Sequence, residues 1–327
     1  MPSAKCQVLT LSASVKRSFR RRLLSWYDRE RRDLPWRKDH DPYRVWISEI
    51  MLQQTRVAAV IEHYHAFLKK FPTVKKLAVA REASVLAAWS GLGYYRRARM
   101  MHRAAKEIVS NHDGKFPQTA AGLRELPGIG RYTAAAIASI AFAEAVAVVD
   151  GNVERVLSRV VGEKLPHADV WPLAEDALDA KRPGDFNQAM MELGATVCLP
   201  RQPKCLMCPV SAGCGTRGEL PTMQKAKPQQ KKEVHYALDY REDAVLLVER
   251  AKHESLMPGM WELPRIEGNG VDGSWMKLRH SITVTDYTVR VKQGASGVDG
   301  RWVPRNRVLA LPLTGLARKI LKRAGVI

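Results

Sequence analysis

Two carboxylates stand where burial would change what they can do. Glu49 lies in the apolar run Trp46-Ile47-Ser48-Glu49-Ile50-Met51. Desolvation there would raise its pKa and make it a usable proton donor near neutral pH. The alternative is an acid facing water on an amphipathic helix. Asp150 ends the apolar run Val146-Ala147-Val148-Val149 and precedes Gly151-Asn152. An acid in that position is either a helix cap or a reagent. A third chemical group is the set Cys198, Cys205, Cys208 and Cys214, separated by six, two and five residues. Four thiolates can hold a tetrahedral zinc or an iron–sulfur cluster, and spacing alone does not exclude zinc. Zinc sites usually use two close pairs, whereas only Cys205 and Cys208 are close here. Cys6 stands apart and is expected to be a free, inert thiol.

The elements that must position these groups centre on Leu126–Asn152. Leu126-Pro127-Gly128-Ile129-Gly130 reads as a tight turn in which Gly128 and Gly130 can take φ > 0 and a ligand can approach the backbone. Pro127 stops whatever helix precedes it. From Arg131 an Ala-rich helix follows, so the turn offers unpaired N–H groups and a positive helix end to an anion. With 53 Lys+Arg against 33 Asp+Glu and a net charge of +20, the natural anion is a phosphate of a polyanionic partner.

Upstream, residues 15–32 place Phe19, Leu23, Trp26 and Tyr27 on one face at helical spacing, with arginines opposite. Asp33-Leu34-Pro35-Trp36-Arg37 breaks that helix. Tyr43–Phe71 then reads as a helix or helix pair, and residues 73–115 as further helices joined at Gly91-Leu92-Gly93. Tyr94-Tyr95-Arg96-Arg97 follows that turn. Two aromatics before arginines suit a loop that enters a duplex and stacks on bases. The other reading is tyrosines that cap a helix interface. Residues 153–195 continue helical into the cysteines, where Arg201 and Lys204 would make the loop a basic finger. Residues 216–233 are rich in Pro, Gln and Lys and read as a linker. After residue 234 the texture turns short, β-branched and alternating, which indicates strands, with a closing helix at Leu313–Gly325.

The Leu126–Asn152 segment resembles the helix-hairpin-helix-Gly-Pro-Asp DNA glycosylases, and within them the adenine glycosylases of the MutY type. Ser48-Glu49-Ile50-Met51-Leu52-Gln53-Gln54-Thr55 looks like the segment that carries their catalytic glutamate. The cysteine spacing and neighbouring prolines resemble the [4Fe–4S] loop of the endonuclease III and MutY glycosylases. Met257–Ile266 is similar to the Gly-Leu-Trp-Glu-Phe-Pro segment of the MutY C-terminal domain, which is Nudix-like. The glutamate-rich metal box of true Nudix hydrolases is missing, so pyrophosphate hydrolysis is not expected.

The resemblance implies a mainly α fold: an all-helical glycosylase core with an iron–sulfur loop over 1–215, the linker, and a small α+β recognition domain over 234–327. Within the core, a six-helix module with the hairpin would span about 34–145. The N-terminal helix and residues 146–215 would form the iron–sulfur module. Adenine leaves more readily once protonated, and the sugar then develops oxocarbenium character. Glu49 fits the proton donor and Asp150 the charged stabiliser. Tyr132, Asn152, Arg37 and Glu192 match positions that line the family pocket. Tyr94 is implied as a wedge and Gln54 as a second probe, with Gly128, Gly130 and Arg131 at the backbone. In endonuclease III a lysine follows the glycine–arginine of the hairpin; here Tyr132 does, and a phenol cannot form an imine. A monofunctional hydrolytic glycosylase is therefore expected, acting on adenine opposite 8-oxoguanine or guanine in double-stranded DNA. The family's Phe-Ser-His loop is altered: after Arg279-His280 the chain reads Ser281-Ile282-Thr283-Val284, with Thr283 in the place of the serine. The rivals are a thymine (G·T) mismatch glycosylase and a DNA-binding module without catalysis. No apolar run approaches the ~20 residues of a membrane span, and no secretory signal is read. A monomer in the cytoplasm, associated with the nucleoid in a bacterial cell, is expected.

Overall fold

A computed structural model of the chain describes residues 10, 12–221, 230–254, 256–266, 275–282, 285–294 and 297–327. Thr283, Cys6 and residues 222–229 of the expected linker lie outside them. The chain forms two compact units, residues 1–64 with 104–223 and residues 65–103 with 224–327.

In the first unit, α1 (Ala13–Glu30) starts at Ser12, whose side chain accepts the Val15 N–H. Its buried face carries Phe19, Leu23, Leu24, Trp26 and Tyr27. This is the expected stripe. A 3₁₀ turn at Pro35–Arg37 ends the segment. Asp41 caps and Pro42 opens α2 (Pro42–Leu52), which has the fixed φ that a first helical position prefers. α2 stops at Gln53, and α3 (Val57–Lys70) follows, so Tyr43–Phe71 is a helix pair.

Three further helices, α4 (Val74–Ala78), α5 (Glu82–Trp89) and α6 (Arg96–Asn111), lead to the hairpin helices α7 (Ala120–Arg124) and α8 (Arg131–Phe142). Beyond them lie α9 (Gly151–Val161), α10 (His167–Ala177) and α11 (Pro183–Thr196). Residues of α1, α9, α10 and α11 share one apolar core around Leu23, Tyr27, Val153, Leu157, Leu173 and Leu193. Helix packing is close enough to demand glycine at two places. A Cβ on Gly184 would lie 2.7 Å from the Ser139 carbonyl oxygen, and one on Gly194 would lie 2.5 Å from Asn152 Cβ.

In the second unit, β5 (Met276–Ile282) pairs antiparallel with β6 (Thr285–Gln293), and β6 pairs parallel with β1 (Gln230–Leu238). The register aligns Val234, Val289 and Leu278 in one row and Tyr236, Val291 and Met276 in the next. Period-2 alternation sends both rows into the same core. β1 starts at Gln230, four residues before the texture change at 234, because its first residues, Gln230–Glu233, are exposed and leave no apolar signal.

A second ladder joins β2 (Tyr240–Arg241), β3 (Ala244–Glu249), β4 (Trp261–Glu262) and β7 (Arg301–Pro304). After the short helix α12 (Arg305–Val308), α13 (Gly315–Arg323) closes the core with Leu316, Ala317, Ile320 and Leu321. Helical residues of the 65–103 stretch belong to this unit. Ser90 Oγ and Tyr95 OH both donate to the Leu313 carbonyl, at 3.0 and 2.9 Å. The mainly α fold with a small C-terminal strand domain is as expected. No helix of the described residues is long and apolar enough to cross a membrane.

Candidate active site

Glu49 sits in the middle of α2 and is 5% exposed, which decides between its two readings: it is buried. Tyr132, at the start of α8, reaches it through a hydroxyl that donates to Glu49 Oε2 at 2.7 Å. Burial pushes the Glu49 carboxyl up to about 7, opposed by the Tyr132 hydrogen bond, reinforced by the charge of Asp150 and opposed again by Arg37. A carboxyl poised there is half protonated near neutral pH. Tyr132 itself is held well above the ordinary tyrosine value, first by burial of its hydroxyl and then by the charges of Glu49 and Asp150.

Asp150 is a cap as well as a neighbour of that acid. It is the N-cap of α9, and its Oδ1 accepts the N–H groups of Asn152 and Val153 at 2.9 and 2.8 Å. Its Oδ2 accepts Asn152 Nδ2 at 2.8 Å. The run that delivers it is not a strand. Residues 143–150 are irregular backbone, with Ala147, Val148 and Val149 buried. Side chains from elsewhere satisfy three of the backbone groups in this run. Val148 N–H donates to Asn187 Oδ1 at 3.1 Å, Ala147 N–H to Glu175 Oε2 at 3.1 Å, and Asn187 Nδ2 to the Val146 carbonyl at 2.9 Å.

Arg155, one helical turn past Asn152, donates to Asn152 Oδ1 at 2.8 Å and to the Cys198 carbonyl at 2.9 Å. It therefore ties the Asp150 turn to the start of the cysteine loop. Nothing in the local sequence marks Asn187 or Glu175 as partners of this segment. For Arg155 the available signal is its i+3 spacing from Asn152 on one helix face.

Glu192, on α11 and 1% exposed, is clamped by two arginines. Arg32 Nε and Nη2 donate to its two oxygens at 2.6 and 2.8 Å, and Arg37 Nη2 donates at 2.8 Å. Burial works against the charged carboxylate, but the two arginines outweigh it and hold the Glu192 pKa below its usual value. Arg37 also lies over the Tyr27 ring, 5.4 Å from its centroid. Arg37 is thus spent on Glu192 and on the electrostatics of Glu49.

The hairpin turn corrects one expectation. Gly128 takes φ +76°, but Gly130 does not enter the left-handed region. Gly130 is extended, at φ −85° and ψ 178°, and is the N-cap of α8 with no side-chain cap. The open N–H groups of α8 remain, and nothing lies within 4 Å of where a Gly130 Cβ would be. Arg131 is exposed, and its guanidinium stacks 3.7 Å from the centroid of the Trp171 ring.

The two residues implied as probes share an unusual backbone: Gln54 has φ +54° and Tyr94 φ +47°. Neither is glycine, so both positions are strained. Both are exposed. Tyr95, in contrast, is the buried tyrosine whose hydroxyl holds Leu313. Tyr95 is thus the tyrosine that packs at an interface, and Tyr94 is the exposed one.

The four cysteines are partly buried, and Cys198 and Cys208 pack against the helical core. They interact with one another. Burial pushes the Cys208 thiol up to about 11, the backbone N–H of Val210 opposes this, and the charges of Cys198, Cys214 and Cys205 add to it. Among the described residues no three His, Cys, Asp or Glu side chains close on a single metal ion. Buried Arg159 donates to Cys198 Sγ at 3.2 Å, and the Arg217 backbone N–H donates to Cys214 Sγ at 3.4 Å. Sulfurs that receive N–H donors and a guanidinium fit an anionic, thiolate-ligated group.

Residues 47–169 match the HhH-GPD superfamily base excision DNA repair protein family. The chain is 51% identical to human adenine DNA glycosylase over 215 residues, which is 61% of this chain and 39% of that protein. It is 40% identical to the Arabidopsis thaliana adenine DNA glycosylase over 305 residues, covering 78% of this chain and 48% of the relative. The chain thus spans two-fifths to half of these curated relatives. Among solved structures it is similar to a thermostable thymine-DNA glycosylase, with a TM-score of 0.59 and 30% identity, over 62% of this chain and 97% of that one. With this helical scaffold, the hairpin and that coverage, the chain belongs to the HhH-GPD superfamily of base excision DNA repair proteins.

Proposed function

We propose that the chain is a monofunctional adenine DNA glycosylase that hydrolyses the N-glycosidic bond of adenine mispaired with 8-oxoguanine or guanine. The observation that carries this is the buried Glu49, with a carboxyl near 7, held by Tyr132 beside Asp150. Glu49 protonates the base, so that adenine departs neutral. Asp150, fixed by three N–H donors, places an anion where the sugar becomes positive. Asn152 and Arg155 hold that carboxylate in place. Arg37 and Glu192, locked together, form one rigid wall of the base pocket.

Tyr94 and Gln54 open the stack so that the target base can leave it. The free N–H groups of α8, with Gly128, Gly130 and Arg131, bind the DNA backbone, and Trp171 keeps the Arg131 guanidinium extended. Tyr132 occupies the position of the imine-forming lysine, so no β-lyase step passes through it.

Cys198, Cys205, Cys208 and Cys214 would hold a [4Fe–4S] cluster, one thiolate per iron. Bound there, the cluster would fold the loop that presents Arg201 and Lys204 to phosphates. Only Cys205 and Cys208 form a close pair in the sequence, whereas zinc sites usually use two, and this supports the cluster over zinc. Residues 234–327 serve as a Nudix-like reader of the opposite base, with Thr283 as a hydrogen-bonding contact, and the chain acts as a monomer in the cytoplasm.

Base release under single turnover from duplexes with A opposite 8-oxoguanine, A opposite G and T opposite G tests this reading. Adenine release, faster opposite 8-oxoguanine, is expected. Thymine release without adenine release would replace the substrate assignment with that of the thymine-DNA glycosylase relative. Binding without any release would leave only a DNA-binding module.

A further inference from the structure

Tyr94 is an exposed aromatic on a strained backbone, and the question is what keeps it there. Gly93 and Tyr94 are both left-handed, at φ +71° and +47°. Two such residues in succession relax toward other conformations unless neighbours hold them. The neighbours here converge on two carbonyls. Trp89 Nε1 donates to the Gly93 carbonyl at 3.1 Å. Arg97 Nη2 donates to the Leu92 and Gly93 carbonyls at 3.2 and 3.3 Å.

The same guanidinium lies over two rings, 5.5 Å from the Trp89 centroid and 5.4 Å from the Tyr94 centroid. Trp89 is fully buried and Tyr94 is 48% exposed. Arg97 is therefore the plate between an immobile indole and a solvent-facing phenol. Burial lowers its pKa only to about 10, so it stays charged at neutral pH.

We propose that Arg97 is a positioning residue that holds Tyr94 in its left-handed conformation, with one ring face covered and the rest free to stack on a base. The arginine touches no substrate. It acts by fixing the turn before DNA arrives, so that the ordering cost of the wedge is met within the folded protein. A planar cation is suited to this because it stacks on two rings while Nη2 donates to both carbonyls. Lysine keeps the charge but not the plane that stacks on the two rings.

The inference rests on the duplex-opening role proposed for Tyr94, and its test needs no base release. The probe is a duplex with an uncleavable 2′-fluoro adenine opposite guanine and 2-aminopurine beside it, whose fluorescence rises when the stack opens. Arg97→Met is expected to lower affinity and fluorescence gain by about tenfold, and Arg97→Lys by about threefold. In a Tyr94→Ala background Arg97→Met should cost nothing further. An equal loss in both backgrounds, or no loss in the Tyr94 background, would overturn the proposal.

Thermal unfolding of Arg97→Lys, the milder change, guards against a variant that merely fails to fold. Its melting temperature should match the parent while its fluorescence gain falls. If the parent releases no adenine but the coupling persists, only the glycosylase reading falls. If adenine is released while the two substitutions add independently, only this inference falls.

Discussion

The Glu49 site and the Gly93–Tyr94 turn are built on opposite principles. At Glu49 the backbone is ordinary helix and the side-chain environment is extreme: a buried carboxyl, a phenol donor and a second acid nearby. At Tyr94 the side chain is half in solvent and the backbone is extreme. Acid chemistry near neutral pH requires desolvation, which only a packed helix interior supplies. Entry into a base stack requires a ring that protrudes, which only a turn supplies. In each region the strain is offset by hydrogen bonds from the surroundings, Tyr132 in one and Arg97 with Trp89 in the other.

The contrast predicts different failures when each region is altered. Glu49→Gln should lower base release by about 10²- to 10⁴-fold, the range of general acid catalysis, with duplex affinity retained. The same variant should not unfold more readily. The folded protein binds the Glu49 proton more tightly than the unfolded chain, because the carboxyl moves from 4.5 to about 7. Stability from this group is complete below pH 4.5 and is lost as pH rises through about 7. At pH 8 Glu49→Gln removes that burden, and denaturant unfolding should show a gain of at most about 3 kcal/mol. A pure structural role for Glu49 would give the reverse sign.

Glu192→Ala is the opposite case, since it strands Arg37 in a buried position. A loss of about 3–5 kcal/mol is expected in urea unfolding. Exposure of Arg32, 38% for its side chain, keeps its share of that loss small. Tyr132→Phe removes the donor that lowers the Glu49 pKa, so the falling limb of the pH–rate profile should move to higher pH. A stability cost of about 1 kcal/mol should accompany it. At the hairpin, Gly128→Ala forces a Cβ onto φ +76° and should cost about 1–2 kcal/mol. Gly130→Ala should cost less, with only the weaker N-cap preference of Ala to lose, because its φ is ordinary and the space is open. If the two glycines behave alike, the turn differs from the one described.

What was legible in the sequence follows from range. The Phe19, Leu23, Trp26 and Tyr27 stripe, the Ala-rich α8 and the alternating strands are local patterns, and each became the element it indicated. The acid at Asp150 was legible as cap or reagent, and its geometry is that of a cap beside Glu49. Glu49 itself was ambiguous because a single helix face cannot show what packs on it. The partners that define the site come from far along the chain. Tyr132 lies 83 residues from Glu49, and Arg32 lies 160 from Glu192. No local period records such pairings, and the resemblance to a known family supplied Tyr132, Arg37 and Glu192 while leaving Arg32, Arg155 and Asn187 unseen. Gly130 was misjudged for a related reason: glycine permits φ > 0 but does not require it.

The central claim is that Glu49 is the acid and that burial sets its working pH. The pH dependence of single-turnover adenine release tests it most directly. The account predicts a rate that is level at low pH and falls tenfold per pH unit above about 7, with Tyr132→Phe moving that limb upward. A limb near the ordinary glutamate value, or one that stays in place in Glu49→Gln with its rate intact, would contradict it.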